Sequence, residues 1–72
     1  MSTDEDIERA LAALRSCRSS LLTARRDAAM AAARLYGARA ARASDLGEKL
    51  ADALAFCERL EFVVEGDMRA DL

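Results

Sequence analysis

Apolar residues recur along the first half of the chain in alternating steps of three and four positions. We use the word column for residues spaced seven apart, which stack along one line of a helix. One column contains Ile7, Leu14, Leu21, Ala28 and Leu35, and the other contains Ala10, Cys17, Ala24, Ala31 and Ala38. Because two such columns lie side by side on a helix, the pattern predicts a helix from about residue 3 to 36, opened by a Ser2/Glu5 capping box.

The second half of the chain shows the same spacing. Its apolar positions are Ala43, Leu46, Leu50, Ala53, Cys57, Leu60 and Val64. They predict a second helix over about 39–65, ended by Gly66 as a left-handed C-cap. Residues 66–72 are then a short polar tail that frays. The chain, 1–72, is expected to form a single domain.

The turn between the helices has two candidate positions. A fold at Gly37, with a turn at about 36–38, makes residues face each other when their numbers sum to about 74, so that Leu14 meets Leu60. A turn at residues 44–47 has its own capping box but leaves the first third of helix 1 without a partner. One helix running through Gly37 would lose only about 1 kcal/mol relative to alanine there. The column pairing favours Gly37 and therefore an all-α, antiparallel two-helix hairpin resembling a coiled coil.

Charge supports a hairpin of unlike helices. Residues 9–44 carry eight arginines against one acid, whereas residues 45–72 carry eight acids against three basic residues. Folding a basic helix against an acidic one lowers the self-repulsion of each. Alanine at 17 positions and the absence of proline also favour helix over sheet.

The sequence does not indicate catalysis. It contains no histidine, which is the commonest general base and metal ligand. Carboxylates at helical spacing, such as Glu48 and Asp52, are typical of a solvated face. We therefore expect no enzymatic activity, no cofactor and no metal site.

The Gly37 turn places Cys17 opposite Cys57. A redox-sensitive bond between the helices is one interpretation of this pair. Two small buried hydrophobic residues are the more ordinary interpretation for a chain expected in the cytoplasm, where thiols stay reduced. The sequence leaves the two interpretations open.

Both helices carry more apolar residues than one seam can bury. Those outside the predicted seam would be exposed on an isolated hairpin, and contiguous exposed apolar patches usually mark interfaces. The candidate interface residues are Leu11, Leu22, Leu54, Phe56, Phe62 and Val63. We expect a helical interaction module, completed into a bundle by a second copy or by a different protein chain.

The arginine-rich first helix allows a different function, that of a small dimeric nucleic-acid-binding regulator. Arg18, Arg25 and Arg39 share one edge of helix 1 at helical spacing and could contact phosphates. The acidic total charge of −2 opposes this alternative. No apolar run is long enough to span a bilayer, and the acidic N-terminus is unlike a signal peptide, so we expect a cytoplasmic protein without a membrane partner.

In overall plan the chain resembles two kinds of small α-hairpin. One is the plasmid RNA-binding hairpin that dimerises into a four-helix bundle. The other is the co-chaperone that holds a type III secretion needle subunit, whose end is similar to the stretch from Leu60 to Asp67. These resemblances imply an α-hairpin that acts by association, and they add no diagnostic motif.

Overall fold

The computed structural model describes residues 3–70 and contains two α-helices. Helix α1 is Thr3–Arg34 and helix α2 is Gly37–Ala70. They pack against each other in an antiparallel hairpin about 53 Å long and 16 Å by 12 Å across. The predicted all-α hairpin is confirmed. The predicted N-cap, Ser2, lies outside the described residues.

Helix α1 is stabilised at both ends by charge. Asp4, Glu5 and Asp6 lie in its first turn and Arg34 in its last, which matches the positive and negative ends of the helix dipole. Arg9 reaches back to Glu5, with Nη2 3.2 Å from the carboxylate oxygen one turn earlier. Such exposed pairs contribute about 0.2–0.5 kcal/mol each.

The turn is formed by Leu35, Tyr36 and Gly37. Leu35 and Tyr36 are non-helical, and Gly37 has a φ of 60°, a left-handed conformation that costs other residues free energy. The alternative turn at residues 44–47 is wrong, because these residues lie inside α2. A single continuous helix is likewise excluded by the non-helical pair before Gly37.

The helix bounds differ from the prediction at three places. Helix α1 ends at Arg34 and not at 36, and α2 begins at Gly37 and not at 39. The predicted end of α2 at 65 is also wrong, since the helix continues through Gly66 to Ala70. A glycine inside a helix costs only about 1 kcal/mol, and no proline follows to stop the helix. The predicted tail is therefore helical over 66–70, and Asp71 and Leu72 are outside the described residues.

Each helix faces its neighbour with one column that was predicted and one that was not. In α1 the predicted column of Leu14, Leu21 and Ala28 is at least half-buried. The second column that faces α2 contains Leu11, Arg18 and Ala32, although Arg25 in the same column is exposed. Of the predicted column, Ala10, Cys17 and Ala31 are exposed and only Ala24 is half-buried. At every second contact, the residue of α1 that faces α2 is therefore the next one along the chain, which lies about 100° further around the helix.

Helix α2 shows the same rotation. Its predicted residues Ala43, Leu50, Cys57 and Val64 face α1. The accompanying column is Ala40, Gly47, Leu54 and Glu61, while the predicted Leu46, Ala53 and Leu60 are exposed. We call the residues that face the neighbouring helix the core seam. Its most buried members are Leu11, Ala28, Leu54, Cys57 and Glu61.

Small residues bring the two helices close together near the turn. A Cβ placed on Gly47 would lie 4.0 Å from the Cβ of Ala28, which is ordinary van der Waals contact. Ala32, Ala40 and Ala43 continue this part of the core seam toward the turn.

The conformation of Gly37 is expected to set much of the hairpin's stability. Replacing it with alanine should cost about 1–2 kcal/mol, because a Cβ is unfavourable in the left-handed region. No neighbour lies within 4 Å of the added atom, so the loss is conformational and not steric. Gly66→Ala is the matched control, since Gly66 is helical with equally open space, and it should stabilise the chain by up to about 1 kcal/mol. Urea denaturation followed by circular dichroism measures both, and a destabilising Gly66→Ala or a neutral Gly37→Ala would contradict the assignment.

Candidate protein interface

One side of the hairpin carries a shallow apolar groove. Its walls come from both helices and enclose about 560 Å³. The lining residues are Leu14, Cys17 and Leu21 from α1, and Asp52, Ala53, Phe56, Cys57 and Leu60 from α2. Leu46 lies one heptad before Ala53 and extends the same column toward the turn. Val63 shares a second groove with Phe56 and Leu60 and extends the surface toward the open end.

We call the exposed part of this surface the apolar flank; its members are Cys17, Leu46, Ala53, Phe56, Leu60 and Val63, and it borders the half-buried Leu21 of the core seam. Phe56 is its largest side chain and is 63% exposed. The guanidinium carbon of Arg59 lies 5.7 Å from the centre of the Phe56 ring, within the range of a cation–π contact. Arg59 therefore borders the flank beside the Phe56 ring.

The structure distributes the six predicted interface residues over four environments. Leu11 and Leu54 are 4% and 7% exposed and belong to the core seam, so their predicted place on an exposed surface is wrong. They are buried because the rotated seam selects their columns. Phe56 and Val63 lie on the apolar flank. Phe62 is 75% exposed, but it lies on the outer face of α2 beyond Arg59 and not on the apolar flank.

The sixth predicted residue, Leu22, lies on the opposite side of the core seam. It is about half exposed, and its helical position is close to that of Arg15. Leu22 is therefore an isolated exposed leucine beside charged residues and has no place on the apolar flank.

The sequence analysis missed most of the apolar flank because it assigned Cys17, Ala53 and Leu60 to the seam. The signal was present in the width of the apolar pattern. Helix α2 has leucines on both sides of the column that contains Leu50 and Cys57, with Leu46 and Leu60 on one side and Leu54 on the other. A stripe of that width is broader than one neighbouring helix can cover.

The opposite side of the hairpin is charged, and we call it the charged flank. Arg15 Nη2 donates a hydrogen bond to Glu65 Oε1 at 3.3 Å, and both side chains are largely solvated. Arg18 Nε lies 3.5 Å from Glu61 Oε2. These pairs join the basic helix to the acidic helix, as the charge pattern predicts. The Arg15–Glu65 pair lies on one side of the seam, away from Cys17 and Leu60, and the Arg18–Glu61 pair lies in the seam itself.

Glu61 is the most unusual residue of the core seam. It is 6% exposed, and its Oε2 accepts no hydrogen bond within the described part of the chain. The nearby Arg18 supplies the compensating charge while leaving 42% of its own side chain in solvent. A buried carboxylate is unfavourable without a nearby cation, so this pair restricts the register at which the helices can align.

The arginines proposed for nucleic acid do not form one stripe. Arg18 is paired with Glu61 in the seam. Arg25 lines a groove that also contains the acid Glu48. Arg39 lies beyond the turn in α2, so its predicted place on helix 1 is wrong. The physical reason is the turn at Leu35, Tyr36 and Gly37, which places Arg39 on the other helix from Arg18 and Arg25.

The two cysteines lie together, as predicted from the Gly37 turn. Both line the groove of the apolar flank and both are free thiols, Cys17 exposed and Cys57 buried. Cys57 Sγ donates a hydrogen bond to the backbone oxygen of Leu14 at 3.4 Å. Burial raises the pKa of the Cys57 thiol, and the neighbouring Cys17 and Glu61 raise it further. Cys57 is thus held as a neutral thiol that packs and bonds across the seam.

Over residues 3–70, no group of three or more cysteines and carboxylates is arranged to hold a metal ion. In the same part of the chain, neither helix contains a stretch long and apolar enough to cross a membrane.

The Arg18–Glu61 pair should matter more to stability than the Arg15–Glu65 pair. Arg18→Ala leaves the buried Glu61 without a cation and is expected to cost about 1–3 kcal/mol. Arg15→Ala is the matched control and should cost about 1 kcal/mol or less, because both partners are solvated. The double change Arg18→Leu with Glu61→Leu should recover most of the loss. Urea midpoints measure all three variants, and equal costs for the two single changes would contradict the distinction.

Stability should fall in alkaline solution because of Cys57. The thiol's ordinary pKa is 9.0, and the folded chain raises it. Above pH 9 the unfolded thiol loses its proton while the folded thiol keeps it, so the unfolded state is favoured as pH rises toward the raised pKa. The urea midpoint should therefore fall above pH 9 more steeply in the native chain than in Cys57→Ala. If the urea midpoints of the native chain and of Cys57→Ala fell equally with rising pH, Cys57 would not be the cause of the alkaline loss of stability.

Comparison with known proteins leaves the fold and the surfaces as the basis for function. The chain matches no protein-family model, and no curated protein or solved structure shows significant similarity to it.

Proposed function

We propose that this chain is a non-enzymatic helical interaction module that buries its apolar flank against helices of another protein chain. It would act as a small adaptor, a co-chaperone or a subunit of an oligomeric assembly. The mechanism is removal of apolar surface from water, which is favourable in proportion to the area buried. No covalent step is involved.

One observation carries this proposal: α2 places its less apolar column in the seam. The column facing α1 contains Gly47 and the carboxylate Glu61 beside Leu54. The column left on the apolar flank contains Leu46, Ala53 and Leu60. A hairpin that served only its own stability would be expected to bury the second column. The arrangement is explained if another chain covers the column of Leu46, Ala53 and Leu60.

The flank also has the layout of a binding surface. Phe56 and Leu60 lie at its centre, and each would contribute about 1.5–3 kcal/mol if fully buried. Aromatic residues at the centre of a contact typically carry much of the binding energy. Charged residues such as Asp52 and Arg59 lie at the edge, where they can set orientation while remaining partly solvated.

The alternative is a nucleic-acid-binding regulator that uses Arg18, Arg25 and Arg39. The geometry gives this alternative less support. Phosphate binding needs several cations on one accessible face. Here Arg18 compensates the charge of Glu61, and Arg25 lines a groove together with Glu48. The acidic side chains would repel a nucleic-acid backbone at the same surface.

Changing Phe56 should remove assembly while leaving the hairpin folded. Phe56→Ser is expected to weaken association by about 2–4 kcal/mol, because it removes the central aromatic side chain of the flank. Phe62→Ser alone should have a smaller effect, since Phe62 lies on the outer face. The Phe56→Ser and Phe62→Ser double variant should abolish assembly and keep most of the helix content. Light scattering and circular dichroism on the same fractions measure mass and folding together.

Leu22→Ser is the matched control for these changes. Leu22 is about as exposed as the flank residues but lies on the charged flank. Its replacement should leave assembly unaltered. If Leu22→Ser and Phe56→Ser weaken assembly equally, or if neither does, the apolar flank is not the interface.

A further inference from the structure

We infer that the occupant of the apolar flank is a second copy of this chain. The two hairpins pack flank to flank in a four-helix bundle, with their turns at opposite ends. This inference rests on the proposed function, because it assigns a partner and an orientation to the same surface. Area and charge support it independently.

The solvent-accessible surface area of the isolated hairpin is larger than is typical for a protein of its mass. The chain exposes 5558 Å². A compact monomer of 7.8 kDa typically exposes about 4,400 Å². The difference, about 1,200 Å², exceeds the roughly 800 Å² that each partner buries in a standard interface. The radius of gyration also shows an elongated chain, since it is 16.4 Å whereas a compact chain of this length has about 11 Å.

Charge along the hairpin axis selects the orientation. The half nearest the turn, residues 20–51, carries six cations against three acids. The open half, residues 4–19 and 52–67, carries nine acids against four cations. Two hairpins with their turns at the same end would place like charges together. Turns at opposite ends place the basic half of each copy beside the acidic half of the other.

The centre of the flank shows the same preference locally. Asp52 lies one turn before Phe56, and Arg59 lies about one turn after it. If two α2 helices meet antiparallel at Phe56, Asp52 of each copy faces Arg59 of the other. A two-fold axis then repeats the contact, so that one pair of residues forms two ion pairs across the interface. Two parallel α2 helices in register would oppose acid to acid and cation to cation.

The opposite-end arrangement pairs each helix with the same helix of the second copy. Helix α2 then lies between its own α1 and the α2 of the second copy. The basic parts of the α1 helices are offset along the axis by the same two-fold rotation. An arrangement with both turns at one end would instead set α2 against α1 of the second copy, where Ala13, Ser16 and Ser20 offer Asp52 and Arg59 no charged partner.

The first measurement is the mass of the full native chain under reducing conditions, over a range of concentrations. The expected result is a dimer whose melting temperature rises with concentration, because association stabilises the folded state by mass action. A chain that stays monomeric at millimolar concentration would overturn the second copy as occupant. That result would leave the proposed function to a comparison of the monomers, in which a dye that binds exposed apolar surface should bind the native chain and Leu22→Ser more than Phe56→Ser; equal binding would count against the apolar flank as an interface.

The second measurement is the distance between the two turns. A spin label on a Tyr36→Cys variant that also carries Cys17→Ala and Cys57→Ala reports it by electron spin resonance. Position 36 lies about 20 residues from the proposed axis at Phe56, so the two labels should be about 60 Å apart at 1.5 Å per residue. A dimer with labels closer than about 30 Å, the width of a four-helix bundle with its label arms, would overturn the orientation.

Charge reversal tests the predicted ion pairs. Asp52→Arg or Arg59→Asp alone should weaken the dimer at least about tenfold, since the two-fold axis repeats each unfavourable contact. The double change Asp52→Arg with Arg59→Asp restores opposite charges and should bring the dissociation constant back to within about threefold. Glu48→Arg, on the charged flank, is the control and should have no such effect. A double variant as weak as the single ones would overturn the antiparallel contact at Phe56.

Discussion

The structure depends on the fact that each helix has a single neighbour. A helix in a hairpin can bury one stripe of side chains, about two columns wide, against the other helix. Here the apolar residues of α2 extend over three neighbouring columns, those of Leu46, Cys57 and Leu54, although the last also contains Gly47 and Glu61. One column must remain outside whichever way the helix turns. The apolar flank is the direct consequence of this constraint.

Two contacts of the core seam determine which column of α2 remains on the apolar flank. Near the turn, Gly47 allows close approach to Ala28, so the helices pack tightly where their side chains are smallest. Near the middle, Arg18 compensates the buried Glu61. Both contacts use the same column of α2, and together with Leu54 they fix its rotation. Leu46, Ala53 and Leu60 are then left on the flank.

The two sides of the hairpin therefore have different roles. The charged flank joins the helices of one chain through ion pairs that salt and solvent weaken. The apolar flank offers Phe56, Leu60 and Val63 to a second surface, and its bordering charges distinguish one approach from another. For a chain of this size, stability and association are expected to be coupled, because a single hairpin buries little area by itself. The buried thiol of Cys57 belongs to the seam, and its raised pKa reflects that packing.

The sequence by itself determined the two helices, the hairpin and the turn at Gly37. These follow from local spacing and from a glycine that can adopt a positive φ, both of which are properties of the chain alone. It did not determine the end of α2, because Gly66 is compatible with either a cap or a helix interior. Only the tertiary structure decided which of two adjacent columns faces the neighbour. That choice depends on contacts between residues about 20 to 45 positions apart, such as Ala28 with Gly47 and Arg18 with Glu61, whose energies belong to the pair and not to either helix. For the same reason the sequence placed Leu11 and Leu54 outside and Cys17 and Leu60 inside, and the structure reversed both.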